Sequence, residues 1–540
     1  MKNNIINKLT LLIISAPLLL SACGNDEHVE RCVSKGVKES ECIAANIGSN
    51  DIKLTLAYKF LYGRDIPADA EEAAFWMQKA VDNGDAEAQF ALAELYEQGV
   101  GVDIDKNKAL ALYTSSAEQG NPKASLKLAN FYYTGQMVEK DYLIAFEWYK
   151  KAFLLGNREA TSKLAHMYEH GEGVNIDYIK AYDLYHQAAI NGEAYSQYKT
   201  GYILLHSGVI EKNVEEAFKW LLNAADQNIK QAQTEVAKLI LSKDNLELSE
   251  KKIAIEWLEK ASANNESEAT YLLGEYYLKG IPGIITANEK KGLELLQKSA
   301  DLNCVKAMNR LGRIYLYGEY VIKDINTAYK WYNRAASFDS SEAQYMLGWI
   351  YLSEYKNKSN KLTPAISWFE LAADNQNVDA MLELGKIYEN GMGVNRDLKM
   401  SYRWYSKAYS YDNSNLMALY KISRALETGS SGFKDRKTAF EYYKTGAQKG
   451  YAPSQAKLSE FYLRRLGGVR NYIEAYAWNY VASTCMKKYK KLNSKYFGYL
   501  SKNDRKNARD KAREYRNDFG CIPEGTSLNE KNKKNISNRK

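Results

Sequence analysis

The amino-acid sequence predicts an all-α fold, an α-solenoid superhelix of about twelve helix-loop-helix repeats. Three observations carry that prediction. A slot opened by a bulky residue, Trp in eight cases, returns twelve times at steps of 36 to 38 residues. Glycines recur at fixed offsets before it. Ala, Leu, Lys, Glu and Tyr dominate, only seven of 540 residues are Pro, and no run alternates Val, Ile and Thr as a half-buried strand would. A hydrophobic content of 45% supplies a core and excludes wholesale disorder. The 43 Tyr against 14 Phe suit elements that are half buried, with the ring inside and the hydroxyl wet.

From the amino terminus, residues 1–22 read as a lipoprotein signal peptide. Lys2 and Lys8 give a basic start, and Leu9 to Leu20 form a largely apolar stretch of twelve, too short to span a bilayer. An uncleaved hydrophobic anchor is the competing reading. The stretch closes on Leu20-Ser21-Ala22-Cys23, which resembles the bacterial lipobox. That resemblance implies lipidation at Cys23, acylated on sulfur and on its new amino group, and two or more chains anchor a protein stably. Gly24 stands where Asp would favour inner-membrane retention, so the resemblance leans to the outer membrane, with the body in the periplasm and the cell surface as the alternative. No later segment reaches eighteen apolar residues.

Residues 23–51 read as a linker in which Cys32 and Cys42 could staple a short hairpin. The repeats then run over 52–485. Their slots hold Trp76, Trp148, Trp220, Trp257, Trp331, Trp368, Trp404 and Trp478, with Leu112, Leu184, Leu295 and Tyr442 at the others. Small residues sit three before and four after, as Ala145 and Ala152 do around Trp148. On a helix this spacing makes one stripe, so a neighbouring helix can come close while the Trp fills the gap between layers. The helix before each slot ends in a Tyr (Tyr96, Tyr168, Tyr277, Tyr315, Tyr351, Tyr388) and then a glycine (Gly99, Gly135, Gly171, Gly280, Gly318, Gly391), as a left-handed C-cap requires. A second glycine, Gly101, Gly173 or Gly393, lets the loop turn back.

This pattern resembles the Sel1-like repeat family, relatives of the tetratricopeptide repeat with a longer loop, over roughly Ile52 to Cys485. Two units are degenerate: 232–268 lacks the loop glycines, and 343–379 carries Ser353-Glu354 in their place. Residues 486–521 read as a capping segment, with Lys495 to Phe519 as one long helix that Cys485 and Cys521 could tie back. Cys304 is left as a free thiol, and 522–540 reads as a basic disordered tail. From Met486 onward there are 17 of the 74 basic and 6 of the 66 acidic residues, so the rest of the chain is near neutral at 57 against 60. That argues against a nucleic-acid surface along the whole length. The basic end either contacts anionic lipid head groups or is a solvated helix.

A stack of helix pairs offers a long face for a partner, at roughly 10 Å per repeat. The resemblance implies an adaptor: a membrane-anchored protein-interaction scaffold of the bacterial envelope, without enzymatic activity, cofactor or metal. The alternative from the same resemblance is an immunity protein that neutralises a phospholipase-type toxin of type VI secretion. A β-lactamase-like role is remote, because that branch of the family carries a cysteine pair in each repeat and this chain does not. There is no H-E-x-x-H, Walker loop or nucleophile elbow. His166, His170, His186 and His206 cluster in two repeats, where a zinc or pH-sensing site competes with a solvated surface. Their slots elsewhere hold Gln98, Thr134, Glu94 and Asn130, which favours the surface.

Overall fold

The computed structural model describes residues 27–243, 246–353, 362–468 and 470–524, with the backbone of 354–355 as well. The signal-peptide stretch 1–22, the lipidation candidate Cys23 and residues 525–540 of the expected tail lie outside the described residues. Within them there are 28 α-helices and one 3-10 turn, and no β-strand beyond two isolated bridges. The chain is all-α, an α-solenoid of stacked helical hairpins. Among the described residues no helix is long and apolar enough to cross a membrane.

One repeat explains the rest. The first helix, Ala86–Gln98, starts on Asp85, whose carboxylate accepts the Ala88 N–H at 2.8 Å. The second, Lys106–Glu118, starts on Asp105, which accepts from Asn107 and Lys108. Such Asp caps contribute about 0.5–2 kcal/mol each over Ala. Gly99 ends the first helix at φ 72°, where a Cβ would be strained. The Asp105 N–H then donates to Tyr96 O at 3.0 Å, closing the loop on the turn it left. Asp141 to Tyr132, Asp177 to Tyr168, Asp324 to Tyr315 and Asp397 to Tyr388 repeat this clamp. Gly280 departs from the expected cap: its ψ is 158° and Ile281 pairs with Ile285 within its loop, while the clamp persists with the Asn288 N–H donating to Tyr277 O at 2.7 Å.

The second glycine does more than turn the chain. A Cβ on Gly101 would strike Ala70 O, and one on Gly173 would strike Tyr142 O, each at the start of the preceding repeat's second helix. The loop backbone therefore lies directly against its neighbour.

Packing corrects the expected role of the tryptophans. The residue that fills the space between layers is the one after the slot position, whether that holds Trp, Leu or Tyr: Tyr113, Tyr149, Tyr185, Leu221, Leu258, Leu296, Tyr332, Phe369, Tyr405 and Tyr443 are all buried. Small residues three before and four after a Trp are four before and three after its successor, so the stripe serves either position. Close approach decides it. A Cβ on Gly312 would stand 2.8 Å from the Tyr332 ring, and one on Gly385 2.6 Å from that of Tyr405. Trp148, Trp220, Trp257, Trp331, Trp368 and Trp404 are only half buried at the edge of the stripe. Four have a cation three residues on over the ring: Lys151 at 4.9 Å, Lys260 at 4.3 Å, Arg334 at 5.7 Å and Lys407 at 5.1 Å. Trp76 and Trp478 are buried because the terminal segments cover them.

The chain divides into two compact units, Met1–Asn264 and Asn265–Lys540. The division falls within the degenerate repeat 232–268, whose second helix, Leu248–Ala263, opens on a Glu247–Glu250 capping box in place of the Asp clamp. In the first unit, the stretch read as a linker is helical: Glu27–Ser34 and Glu39–Ile47 are joined by a Cys32–Cys42 disulfide. Their Val29 and Ala45, with Val37 of the loop between them, join the core of Leu54, Phe60 and Trp76, and Arg31 pairs with Glu72. The apolar face of the first repeat needs a cover, and these two helices supply it.

In the second unit, the expected single terminal helix is broken into Lys490–Gly498 and Asp504–Asp518, with Ser501 capping Asp504 at 3.2 Å. The break lets Tyr515 and Phe519 lie over Trp478, with ring centroids at 4.4 and 5.4 Å. Cys485 is bonded to Cys521. Ile522, placed by the sequence in the disordered tail, is buried and exchanges hydrogen bonds with Gly450 O and the Ala452 N–H.

Candidate functional site

The buried slot tyrosines end at the face made by the first helices, and there a fixed network recurs. Tyr113 donates to Glu97 at 2.7 Å, Tyr185 to Glu169 at 2.9 Å, Tyr405 to Glu389 at 3.0 Å and Tyr443 to Glu427 at 2.8 Å. Each carboxylate also takes a lysine from the next repeat: Lys127 at 3.1 Å, Lys199 at 2.6 Å, Lys421 at 2.7 Å and Lys457 at 3.3 Å. Burial, and then the carboxylate, raises all four phenols above their ordinary range, so they act as neutral donors. Hydrogen bonds to charged groups contribute about 1.5–3 kcal/mol. At these four joints the network sets one repeat against the next and leaves the side chains around it free to differ.

Two clefts open on this face. In the first unit, Tyr133, Tyr149, Lys163, His166 and Tyr195 line a cavity of about 400 Å³. Tyr133 donates to Glu172 at 3.1 Å, and burial followed by that carboxylate pushes its phenol up to about 12. His166 Nδ1 lies 3.2 Å from Glu172, and its ring stacks on His170 at 4.1 Å. Burial, then the charge of His170, holds the His166 imidazole below its ordinary value against the pull of Glu172. In the second unit, Glu389, Arg396, Tyr405, Lys421, Arg424 and Thr428 line a cavity of about 480 Å³.

The four histidines do not converge. His186 meets the edge of Trp220 at 5.5 Å, and His206 lies 3.5 Å from Glu235. Among the described residues no three His, Cys, Asp or Glu are grouped as a metal site. The bonded cysteine pairs sit in the two terminal segments, and Cys304 is a buried free thiol at the start of Val305–Tyr317. Sequence reasoning missed the Tyr–Glu–Lys network, whose signal was a Glu sixteen residues before the slot tyrosine. It also passed over Trp349, the ninth tryptophan and the one outside the slot, which is 41% exposed.

The Sel1 repeat family model matches residues 56–85, 86–121, 122–157, 158–193, 194–229, 243–266, 267–304, 305–337, 341–377, 378–410, 416–451 and 452–478. Among curated proteins, the chain is similar to chitin synthase regulator SKT5 of Saccharomyces cerevisiae, 30% identical over 161 residues that cover 28% of this chain and 23% of that protein. It is also similar to chitin synthase regulatory factor 3 of Schizosaccharomyces pombe, 28% identical over 200 residues covering 34% and 20%. The chain thus spans under a quarter of the length of these curated relatives. A solved structure to which it is similar is that of c5321, a protective antigen of uropathogenic Escherichia coli strains displaying an SLR fold. That likeness is 26% identical, covers 83% of this chain and 95% of the other, and has a TM-score of 0.49.

Proposed function

The chain belongs to the Sel1 repeat family, whose repeats mediate protein–protein interaction, and from that premise we propose that it is a lipid-anchored, non-catalytic scaffold of the bacterial envelope. The observation that carries the binding role is the first-helix face: a repeated Tyr–Glu–Lys network holds it rigid, while the residues beside that network differ from repeat to repeat. A pre-organised surface lowers the ordering cost of binding. The tether rests on Leu20-Ser21-Ala22-Cys23 behind a twelve-residue apolar stretch. The anchor would hold the body in the periplasm, on the outer membrane given Gly24.

Labelling cells with radioactive palmitate tests the tether: the full chain takes up label and fractionates with the outer membrane, and Cys23→Ser does neither. Cross-linking in the native envelope, followed by mass spectrometry of the captured proteins, tests the role. Several envelope components support the scaffold. A single stoichiometric secreted phospholipase would replace it with an immunity function, and capture of no protein would refute both.

A further inference from the structure

We infer that the second unit docks an extended acidic segment of a protein partner along one line of its first helices, with Trp349 as the apolar anchor. This rests on the scaffold reading and specifies the partner's chemistry. In four successive first helices, the small residue packed on the second helix is Gly312, Gly348, Gly385 and Ser423. The next residue in each is Arg313, Trp349, Lys386 and Arg424. One helical step turns each of these off the packed line by the same angle, so the four share one register on one face.

Their environment differs from that of ordinary surface residues. Arg313 and Arg424 are exposed, and no hydrogen bond or ion pair of either guanidinium is found among the described residues. The charge of each acts on the phenol of its own repeat's buried slot tyrosine, Tyr332 and Tyr443, opposing the burial that pushes it up. Arg396 lines the same cleft as Arg424 and spends its Nε–H on Glu389 O at 2.9 Å. The nearby acids are already engaged: Glu389 holds Lys421, and Glu383 holds Lys386 at 2.6 Å. The carboxylates around Arg313 and Arg424 are thus taken by other cations and donors, Glu427 by Lys457 and Glu319 by Arg310, and guanidinium is the group that takes carboxylates in paired hydrogen bonds. The equivalent register of the first unit reads Glu94, Asn130, His166, Tyr202 and Lys238, with no arginine. Trp349 stands between the cations, and exposed Trp and Arg are the residue types that dominate interface energies.

Geometry gives the ligand a spacing. Stacked helices stand roughly 10 Å apart, and an extended chain advances about 3.3–3.6 Å per residue. Every third residue of the partner therefore meets the next repeat, in the order carboxylate, apolar side chain, carboxylate, carboxylate.

The test is fluorescence anisotropy with the full chain in detergent and a fluorescein-labelled peptide, Glu-Gly-Ser-Leu-Gly-Ser-Glu-Gly-Ser-Glu-Gly-Ser. The peptide should bind about tenfold more tightly than its Gln-for-Glu counterpart, and less tightly as salt rises. Arg313→Glu with Arg424→Glu, and separately Trp349→Ala, should each weaken it about tenfold or more. The charge-matched pair Lys330→Glu and Lys437→Glu, on second helices, should not, and circular dichroism melts should agree for all variants. Equal binding of the Glu and Gln peptides, no binding of either, or indifference to the double arginine variant would overturn the inference. Envelope cross-linking with that variant separates the two claims. If it captures the same proteins as the wild type, the scaffold stands and this site falls; if the wild type captures none, the scaffold itself falls.

Discussion

Replacing Gly173 with Ala should loosen the joint between two repeats, whereas the same change at Gly171, two residues earlier, should loosen only a loop. Both glycines have positive φ, 69° and 71°, so both variants carry the left-handed penalty of about 1–2 kcal/mol. They differ in what the new methyl meets. At Gly171 it meets Ile176 Cγ1 at 2.8 Å, the flexible part of a side chain that can rotate away. At Gly173 it meets the Tyr142 carbonyl and stands 2.8 Å from the Leu143 N, both fixed in the first turn of the preceding repeat's second helix. Backbone shifts of that kind add about 1–3 kcal/mol, giving a total near 2–5 kcal/mol for Gly173→Ala. Hydrogen exchange followed by mass spectrometry reads the effect locally, since 1.4 kcal/mol is tenfold in opening. Residues 142–154 should exchange at least tenfold faster in Gly173→Ala and be unchanged in Gly171→Ala. Equal effects of the two variants, or faster exchange confined to 171–177, would show that the glycine serves the turn alone and that the inter-repeat contact is unimportant.

Three further outcomes follow from the same geometry. Tyr185→Phe removes the hydrogen bond to Glu169 while Lys199 keeps its ion pair, so urea unfolding of the repeats around 158–206 should show a loss of about 1–3 kcal/mol. Cys485→Ser opens a loop closed across a sequence separation of 36, which the chain-entropy argument values at about 3–4 kcal/mol; limited proteolysis should then cleave 486–521 first, as should reduction of the wild type. Because His166 titrates below its ordinary value in the folded state, the unfolded chain binds the extra proton. Stability should therefore fall as pH drops through the window between the folded value and 6.5. The His166 ring resonances in NMR should report that lowered titration, and His166→Gln should flatten the pH dependence of exchange protection over 158–170.

How far the residues alone could be read depends on which interactions are periodic in them. The alternation of two helices, the loop glycines and the twelve-fold slot each recur at one spacing, so they could be read along the chain without coordinates. The bonded pairs Cys32–Cys42 and Cys485–Cys521 were open to the same reading, because few cysteines leave few pairings. Which residue of the Trp-Tyr step enters the core could not be read. A stripe of small residues fits either of two neighbours on a helix, and only the close approach of Gly312 to Tyr332 and Gly385 to Tyr405 selects the second. The ends were misread for a related reason. A repeat can be recognised by its copies, whereas the helices 27–47 and the broken terminal pair have none, and they form because the last stripe on each side must be covered. The sequence by itself thus determined the fold class and the register of the repeats, because both are set by local spacing. Tertiary structure decided which side chains are buried, which tyrosines and glutamates join adjacent repeats, and which arginines are left without a carboxylate. Those are properties of neighbours that lie one repeat apart in the chain and meet only when the helices stack.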